Sequence, residues 1–386
     1  MIFRTRFEEC MAMLKGIAHF ERSHVFWSGY HDDQAVAETE VHWIRKREWH
    51  GVISRHTTQE LVDVCREMGI PLIDMNDVDV FPGVPKIRPD NRRIGQIGAE
   101  HFRDRGYRNV GFAGFSNLGW SRERRDGFAE SALAAGQDCS LFEVDFPGSS
   151  TPFWDDEQIE EIAVWLRALS KPFAVMACND MRAQQIISAA RAAEILVPEQ
   201  LAVLGANNDI VRCEMTIPAI SSVAPNAFQS GFRAAGMLNE ILSGRDVVSM
   251  DQRVEPLGVV VRHSTDTLAI DDEKIAAAVN FIRKSACTGV TADQVADSAH
   301  ISRSLLEKKF RHYIGRSPQA EIRRVQVDRI GQLLVATDFP LKKIAEMTGF
   351  EYTEYMCVLF KRTTGYTPGA YRDTMKDKAN VRSSGP

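Results

Sequence analysis

The sequence predicts an α/β domain followed by an all-α domain that carries two helix-turn-helix units. Three observations carry this reading. Short apolar runs alternate with amphipathic stretches from His50 to about Val261, only helical periodicity remains beyond that point, and the helical part contains an internal repeat spaced 49 residues apart. At 386 residues the chain has room for two or three domains, each with its own core.

In the front part, the runs at 51–54, 70–74, 110–115, 174–178 and 201–205 are bounded by Gly, Pro, Asn or Asp and read as buried parallel strands. Between them, Thr58–Met68, Arg93–Asp104, Arg122–Ala134, Asp155–Leu169, Arg182–Ala193 and Phe228–Leu242 read as helices. Strict alternation means a parallel sheet, in one large piece or two smaller ones. The segment 263–272 is polar and strandless, so a linker is expected there.

In the rear part, Val295-Ala-Asp-Ser-Ala-His-Ile301 and Ile344-Ala-Glu-Met-Thr-Gly-Phe350 share one pattern, and each leads into a helix bearing Phe310 or Phe360. Each half is a helix, a tight turn and a second helix. Gly349 falls where such a turn needs positive φ, and Leu306, Phe310, Tyr355 and Phe360 are expected to face the core. Thr291-x-x-Gln294 forms a capping box, and Ser317-Pro318 starts a long connecting helix that runs to Thr337.

Composition narrows the function classes. The seven cysteines are scattered and never in CxxC spacing, which argues against a disulfide framework or zinc finger. No run is long enough for a membrane span, and Met1–Phe20 lacks the build of a secretory signal, so a cytoplasmic protein without membrane partner is expected. No metal, cofactor or catalytic group is expected either. From 271 to 376, 17 Lys and Arg stand against 13 Asp and Glu, while the whole chain carries −5. An acidic front with a mildly basic rear suits a rear module that meets a polyanion, and equally suits an ordinary solvated surface.

Two such units on a rigid connector can lay their second helices in successive major grooves of double-stranded DNA. In the first unit, Ser302, Arg303, Ser304, Glu307 and Lys308 form the exposed early turns. Arg303 and Lys308 suit guanine or phosphate, and Glu307 suits cytosine N4. The second unit presents Tyr352, Thr353, Glu354, Cys357 and Val358, a surface poor in basic groups that suits thymine methyls and DNA shape. The competing reading is that one unit is a packed scaffold that never touches bases.

The segment Gly349–Arg372, with its glycine, phenylalanines, Thr367-Pro368 and Tyr371-Arg372, resembles the C-terminal signature of AraC/XylS-type transcription regulators. Ser302–Phe310 and Gly315-x-Ser-Pro318 resemble that family's first unit. In the front domain, Asp90-Asn91, Gly95-x-x-Gly98, Arg122-Glu-Arg-Arg-Asp-Gly-Phe128, Cys178-Asn-Asp180 and Val203-Leu-Gly205 resemble LacI-type, periplasmic-binding-protein-like sensor domains. The resemblance implies two α/β lobes closing on a small ligand. The combination resembles the xylose-operon regulators. It implies a sugar-responsive regulator, a xylose-dependent activator of pentose catabolism genes acting as a homodimer, with RNA polymerase as a possible further partner.

The implied organisation is a sensor at 1–262, a linker at 263–272, a DNA-binding domain at 273–376 and a disordered tail at 377–386. The family pattern opens with a strand, whereas the first helix here begins almost at Met1, so the first strand is expected to be missing. For the ligand, Asp180 stands at the carboxyl end of a strand, where open sheets present binding residues. By motif position, Arg124 and Asn207 match ligand-gripping positions, and Trp120, one turn before Arg124, is the aromatic candidate. Each has a bland alternative: a helix cap for Asp180, a surface ion pair for Arg124, core packing for Trp120. Proline stands at 225, where relatives commonly place a polar contact.

Two other classes remain as alternatives. A sugar-processing enzyme is suggested by Asp155, Asp156 and Glu157, although successive carboxylates at a helix start suit the helix dipole better than catalysis. A solute receptor of the transport type would carry a signal peptide and lack an all-α tail.

Overall fold

The computed structural model describes residues 1–5, 8–25, 27–78, 81–148, 156–245, 249–266, 272–314, 316–337 and 339–373. They fall into two compact units, the first ending at Asp266. The front sheet is two sheets, one in each of two lobes. In the first lobe, β1 (Val52–Ser54), β2 (Leu72–Asp74), β3 (Lys86–Pro89) and β9 (Asp251–Val254) lie parallel in the order β1-β2-β3-β9. In the second, β4 (Asn109–Phe115), β5 (Asp138–Val144), β6 (Phe173–Ala177), β7 (Leu201–Ala206), β8 (Ser221–Ala224) and β10 (Gly258–Val260) run in the order β10-β8-β7-β6-β4-β5. Only β10 is antiparallel to its neighbour. The chain crosses between lobes three times, at Pro89–Asn91, Ala224–Ala227 and Val254–Gly258.

The first strand expected to be missing is present in reduced form. Ile2 bridges in parallel to Ser54 and to Asp32, its N–H donating to Ile53 O at 2.9 Å. A stretch that short shows no periodicity in a sequence, which is why it escapes notice.

Each lobe is closed by a helix pair pressed backbone to backbone. In the first lobe α1 (Glu8–His24) packs on α8 (Ala227–Leu242): a Cβ on Gly16 would lie 2.0 Å from Phe228 O, and one on Gly231 1.9 Å from Met13 O. In the second, α3 (Asn91–Arg103) packs on α4 (Gly119–Ala134) in the same reciprocal manner, with Gly95 against Arg124 O and Gly127 against Arg92 O, each 2.0 Å from an added Cβ. Only glycine permits approach this close. The other helices of the first unit are α2 (Gln59–Glu67) in the first lobe, and α5 (Asp156–Ala168), α6 (Asp180–Ala192) and α7 (Ile210–Met215) in the second.

The expected linker begins inside the first unit. Ser264 and Thr265 are fully buried, and Ser264 Oγ donates to Val203 O at 2.5 Å. Ser264 satisfies backbone of β7 and β8 and Thr265 bonds the Ser221 hydroxyl; the composition of a linker here marks the closing turn of a domain. Residues 267–271, like the tail at 377–386, lie outside the described residues.

The second unit contains α9 (Glu273–Ser285), α10 (Ala292–Ser298), α11 (Arg303–Ile314), α12 (Pro318–Ala336), α13 (Leu341–Met347) and α14 (Thr353–Thr364). It has two cores joined by α12, which gives Ile322 to the first with Leu306 and Phe310, and Ile330 and Leu334 to the second with Met356 and Phe360. Tyr355, expected inside, is half exposed; its ring and that of Phe350 each lie 5.3 Å from the Arg323 guanidinium, and Met356 takes the core position. The turns are as the repeat predicts. Gly349 has φ of 75°, and in the first helix-turn-helix His300 takes φ of 52° in the same place. Among the described residues no helix is long and apolar enough to cross a membrane.

Candidate functional site

A cavity of about 700 Å³ opens where the carboxyl ends of the strands of both lobes converge, as open α/β sheets present their ligand sites. From the first lobe, Glu9, Arg55, His56, Thr57 and Asn76 reach its wall; from the second come Asn207, Asn208 and Asp209; the crossover at Ala224–Ala227 forms its back. The wall therefore mixes acceptors and donors of both signs. Burial opposes the charge on Arg55, yet Glu9, Asp77 and Asp74 raise its pKa above the usual value, so the cavity keeps a cation among carboxylates.

The loop after β7 is shaped for exposure to this cavity. Asn207 and Asn208 have φ of 103° and 52°, a region that asparagine tolerates better than most side chains. Asp180, at the first turn of α6, holds the loop from behind: its carboxylate accepts the Asp209 N–H at 2.7 Å and the Ser222 hydroxyl at 2.6 Å. Burial pushes its pKa up to about 6, against the pull of those two bonds. A Cβ on Gly205 would stand 2.1 Å from Asp180 Oδ1, which explains the glycine in Val203-Leu-Gly205.

Of the four residues expected at the ligand, Asn207 lies on the cavity wall, while Asp180, Arg124 and Trp120 are not part of its lining. Arg124 is buried, donating from Nε to Asn91 Oδ1 at 2.9 Å and from Nη1 to Cys178 O at 2.6 Å. Burial lowers its pKa, with Asp77 pulling the other way. Asn91 in turn donates to Asp77 Oδ2 at 2.8 Å, and the half-buried Trp120 ring lies 5.0 Å from the Arg124 guanidinium. The first-lobe wall of Arg55, His56 and Asn76 was not picked out from sequence. The available signal was the same strand-end rule that singled out Asp180, applied to the runs ending at Ser54 and Asp74.

In the second unit α11 and α14 carry the residues expected to meet DNA, most of them exposed. Ser302, Arg303, Ser304 and Lys308 are exposed and Glu307 is half-buried, while Leu306 and Phe310 turn inward. Arg303 folds back to Asp293 at 2.8 Å and Glu307 at 3.4 Å. On α14, Val358 is 65 % and, just before the helix, Tyr352 62 % exposed; Glu354 is exposed, and Thr353 and Cys357 are half-buried. Apolar side chains held this far in water are available for a partner surface.

Residues 99–265 match the model of the periplasmic binding protein-like domain, and residues 295–374 that of a helix-turn-helix domain. The chain is 27 % identical over 369 residues to the xylose operon regulatory protein of Haemophilus influenzae, covering 93 % of this chain and 94 % of that protein. The corresponding protein of Escherichia coli K12 is 29 % identical over 332 residues, covering 84 % and 83 %. The solved structure of the xylose-binding transcription activator xylR superposes with a TM-score of 0.75 at 26 % identity, over 97 % of both chains. The chain is a homologue of the xylose operon regulators. This regulator joins a ligand-sensing domain to a DNA-binding one, and its family works by transcription control and not by catalysis. Among the described residues no cluster of His, Cys, Asp and Glu could hold a metal ion.

Proposed function

We propose that this regulator is a cytoplasmic, xylose-dependent activator of pentose catabolism genes that acts as a homodimer and meets RNA polymerase at the promoter. The single observation that carries the effector reading is the cavity between the lobes, whose wall sets Asn207, Asn76 and Arg55 beside Glu9 and Asp209. Such mixed donors and acceptors bracket the vicinal hydroxyls of a neutral polyol, and a purely cationic or anionic ligand would leave one sign unpaired. Asn207 would touch the sugar, Asp180 would keep its loop in place, and Arg124 with Trp120 would join the contact as the lobes close. On the reader, Ser302, Arg303, Ser304, Glu307 and Lys308 would read one major groove and Tyr352, Thr353, Glu354, Cys357 and Val358 the next.

The test is a thermal-shift panel of xylose, arabinose, ribose and glucose, followed by gel shifts on duplexes selected by the protein from a random library. A ligand that binds only the folded state raises the melting temperature by mass action, by about 2.7 kcal/mol of stabilisation at a hundredfold excess over Kd. Xylose should give the largest shift and change the grip on DNA. Selection of no sequence, or no response to any sugar, overturns the reading.

A further inference from the structure

The sensor ends in a short turn, Arg262 to Thr265, directly before residues 267–271 and the reader. Arg262 ties this turn to the cavity. Its Nη2 donates to Asn208 Oδ1 at 2.9 Å, and Asn208 is on the cavity wall. Its Nη1 donates to Ile220 O at 3.0 Å. The same Asn208 carries positive φ and gives its N–H to Ser222 Oγ at 2.9 Å, the hydroxyl that donates to Asp180. One asparagine thus faces the ligand space with its neighbours and holds the last arginine of the sensor.

The turn is otherwise anchored without the guanidinium. Ser221 Oγ accepts the Arg262 N–H at 2.8 Å and donates to Arg262 O at 2.9 Å. Thr265 Oγ1 donates to Ser221 Oγ at 2.7 Å, His101 Nε2 meets Thr265 Oγ1 at 3.0 Å, and Arg105 Nε donates to Thr265 O at 2.9 Å. These bonds, with those of Ser264 to Val203 O, Ser221 N–H and Ala219 O, keep the turn folded without the Arg262 side chain. The side chain is therefore free to serve another purpose, because the turn does not need it for anchoring.

We propose that Arg262 is the positioning residue through which occupancy of the cavity reaches the reader. A sugar hydroxyl that engages the Asn207–Asp209 loop changes the orientation of the Asn208 carboxamide. The guanidinium follows its acceptor, and the turn leading into residues 267–271 is redirected. A ligand shifts an equilibrium only by the difference in its interaction with the two states, and the Asn208–Arg262 bond supplies a contact able to differ between them. The proposal rests on the reading of the cavity as the effector site.

The experiment uses the full chain and its Arg262→Met, Asn208→Gly and double variants. It measures xylose binding by calorimetry, affinity for a wild-type-selected duplex with and without xylose, and hydrogen exchange of residues 258–266. Wild-type protein is expected to show coupling of about 5- to 150-fold between sugar and DNA. Arg262→Met should keep both single affinities within about threefold, a small energy on the scale of one hydrogen bond. Its coupling should fall below about twofold, and the sugar-induced change in exchange at 258–266 should vanish. The double variant should be no worse than either single one, since both remove the same link. Wild-type coupling in Arg262→Met overturns the proposal, as does loss of xylose binding in that variant, which would make Arg262 part of the wall. A wild-type chain that answers to no sugar of the panel fails at the effector reading itself and takes the proposal with it.

Discussion

Gln326 lies on α12 where the two cores of the second unit meet, and it is 1 % exposed. Its Nε2 donates to Ala286 O at 3.0 Å and to Thr348 O at 2.9 Å, one carbonyl from each half, and its Oε1 accepts from Arg323 at 2.9 Å. The Gln326→Leu variant keeps the volume and removes all three bonds. With about 1 kcal/mol net per bond, and about 1–3 kcal/mol for a buried group left without its partner, the loss should be about 2–4 kcal/mol. For a domain of about 100 residues this lowers the melting temperature by roughly 10–25 °C. The assay follows from the sequence: all six tryptophans lie at or before Trp165, so their fluorescence reports the first unit, and far-ultraviolet circular dichroism reports the helices of both. The fluorescence transition should stay in place while an early helical transition splits away. Two curves that move together, or a helical transition shifted by less than about 2 °C, would refute the reasoning.

The remaining predictions concern protons, backbone and DNA. Burial, with Arg105 beside it, drives the pKa of His101 down to about 3 from 6.5. The unfolded imidazole takes its proton near 6.5 and the folded one does not, so this stabilisation is complete above pH 6.5 and declines as pH falls. About 2 kcal/mol should be gone at pH 5; urea melts followed by fluorescence at pH 7 and 5 should show a smaller pH loss in His101→Gln, and an equal loss counts against it. Gly349→Ala meets both a φ of 75° and a Cβ position 2.9 Å from Cys287 O, whereas Gly365→Ala has φ of 81° with open space around it. Left-handed strain alone costs about 1–2 kcal/mol, so Gly349→Ala should be the more destabilising of the two in the helical transition. If Lys308 meets a phosphate, Lys308→Ala should reduce the slope of log affinity against log salt by about 0.9. Arg303→Ala should instead relax the base preference at one position of the selected site, and an unchanged selected sequence would remove Arg303 from base reading.

The buried strands were legible because their buried residues form unbroken apolar runs: β4 from Val110, β6 and β7 are enclosed on both faces. The strands that went unseen belong to a different chemistry. β3 and β9 are partners carrying Lys86, Arg88, Asp251 and Arg253, where ion pairs replace apolar packing, Arg88 meeting Asp251 at 2.9 Å. β5 is an edge strand with no fully buried residue, and β8 spends Ser221 and Ser222 on hydrogen bonds to the closing turn and to Asp180. The reader was legible nearly in full because each turn of its repeat leaves a cap, a glycine or a proline in the sequence. Tyr355 went astray because Tyr355 and Met356 are adjacent on a helix, and the repeat alone does not tell which of them faces inward. The cavity was half legible. A strand-end carboxylate and a motif asparagine can be found along one segment, but Arg55 and Asn76 come near Asn207 only once the two lobes face each other.

The glycine-to-backbone locks in both lobes bear on how the sensor moves. Where helices touch main chain to main chain at Gly16, Gly231, Gly95 and Gly127, no side chain intervenes to rearrange, and sliding would collide atom on atom. Deformation is thereby channelled away from the lobe interiors into three slender connections, at 89–91, 224–227 and 254–258. The first unit is built as two stiff lobes on three short crossings, so any turning of one lobe against the other falls on those crossings and leaves the lobe cores intact.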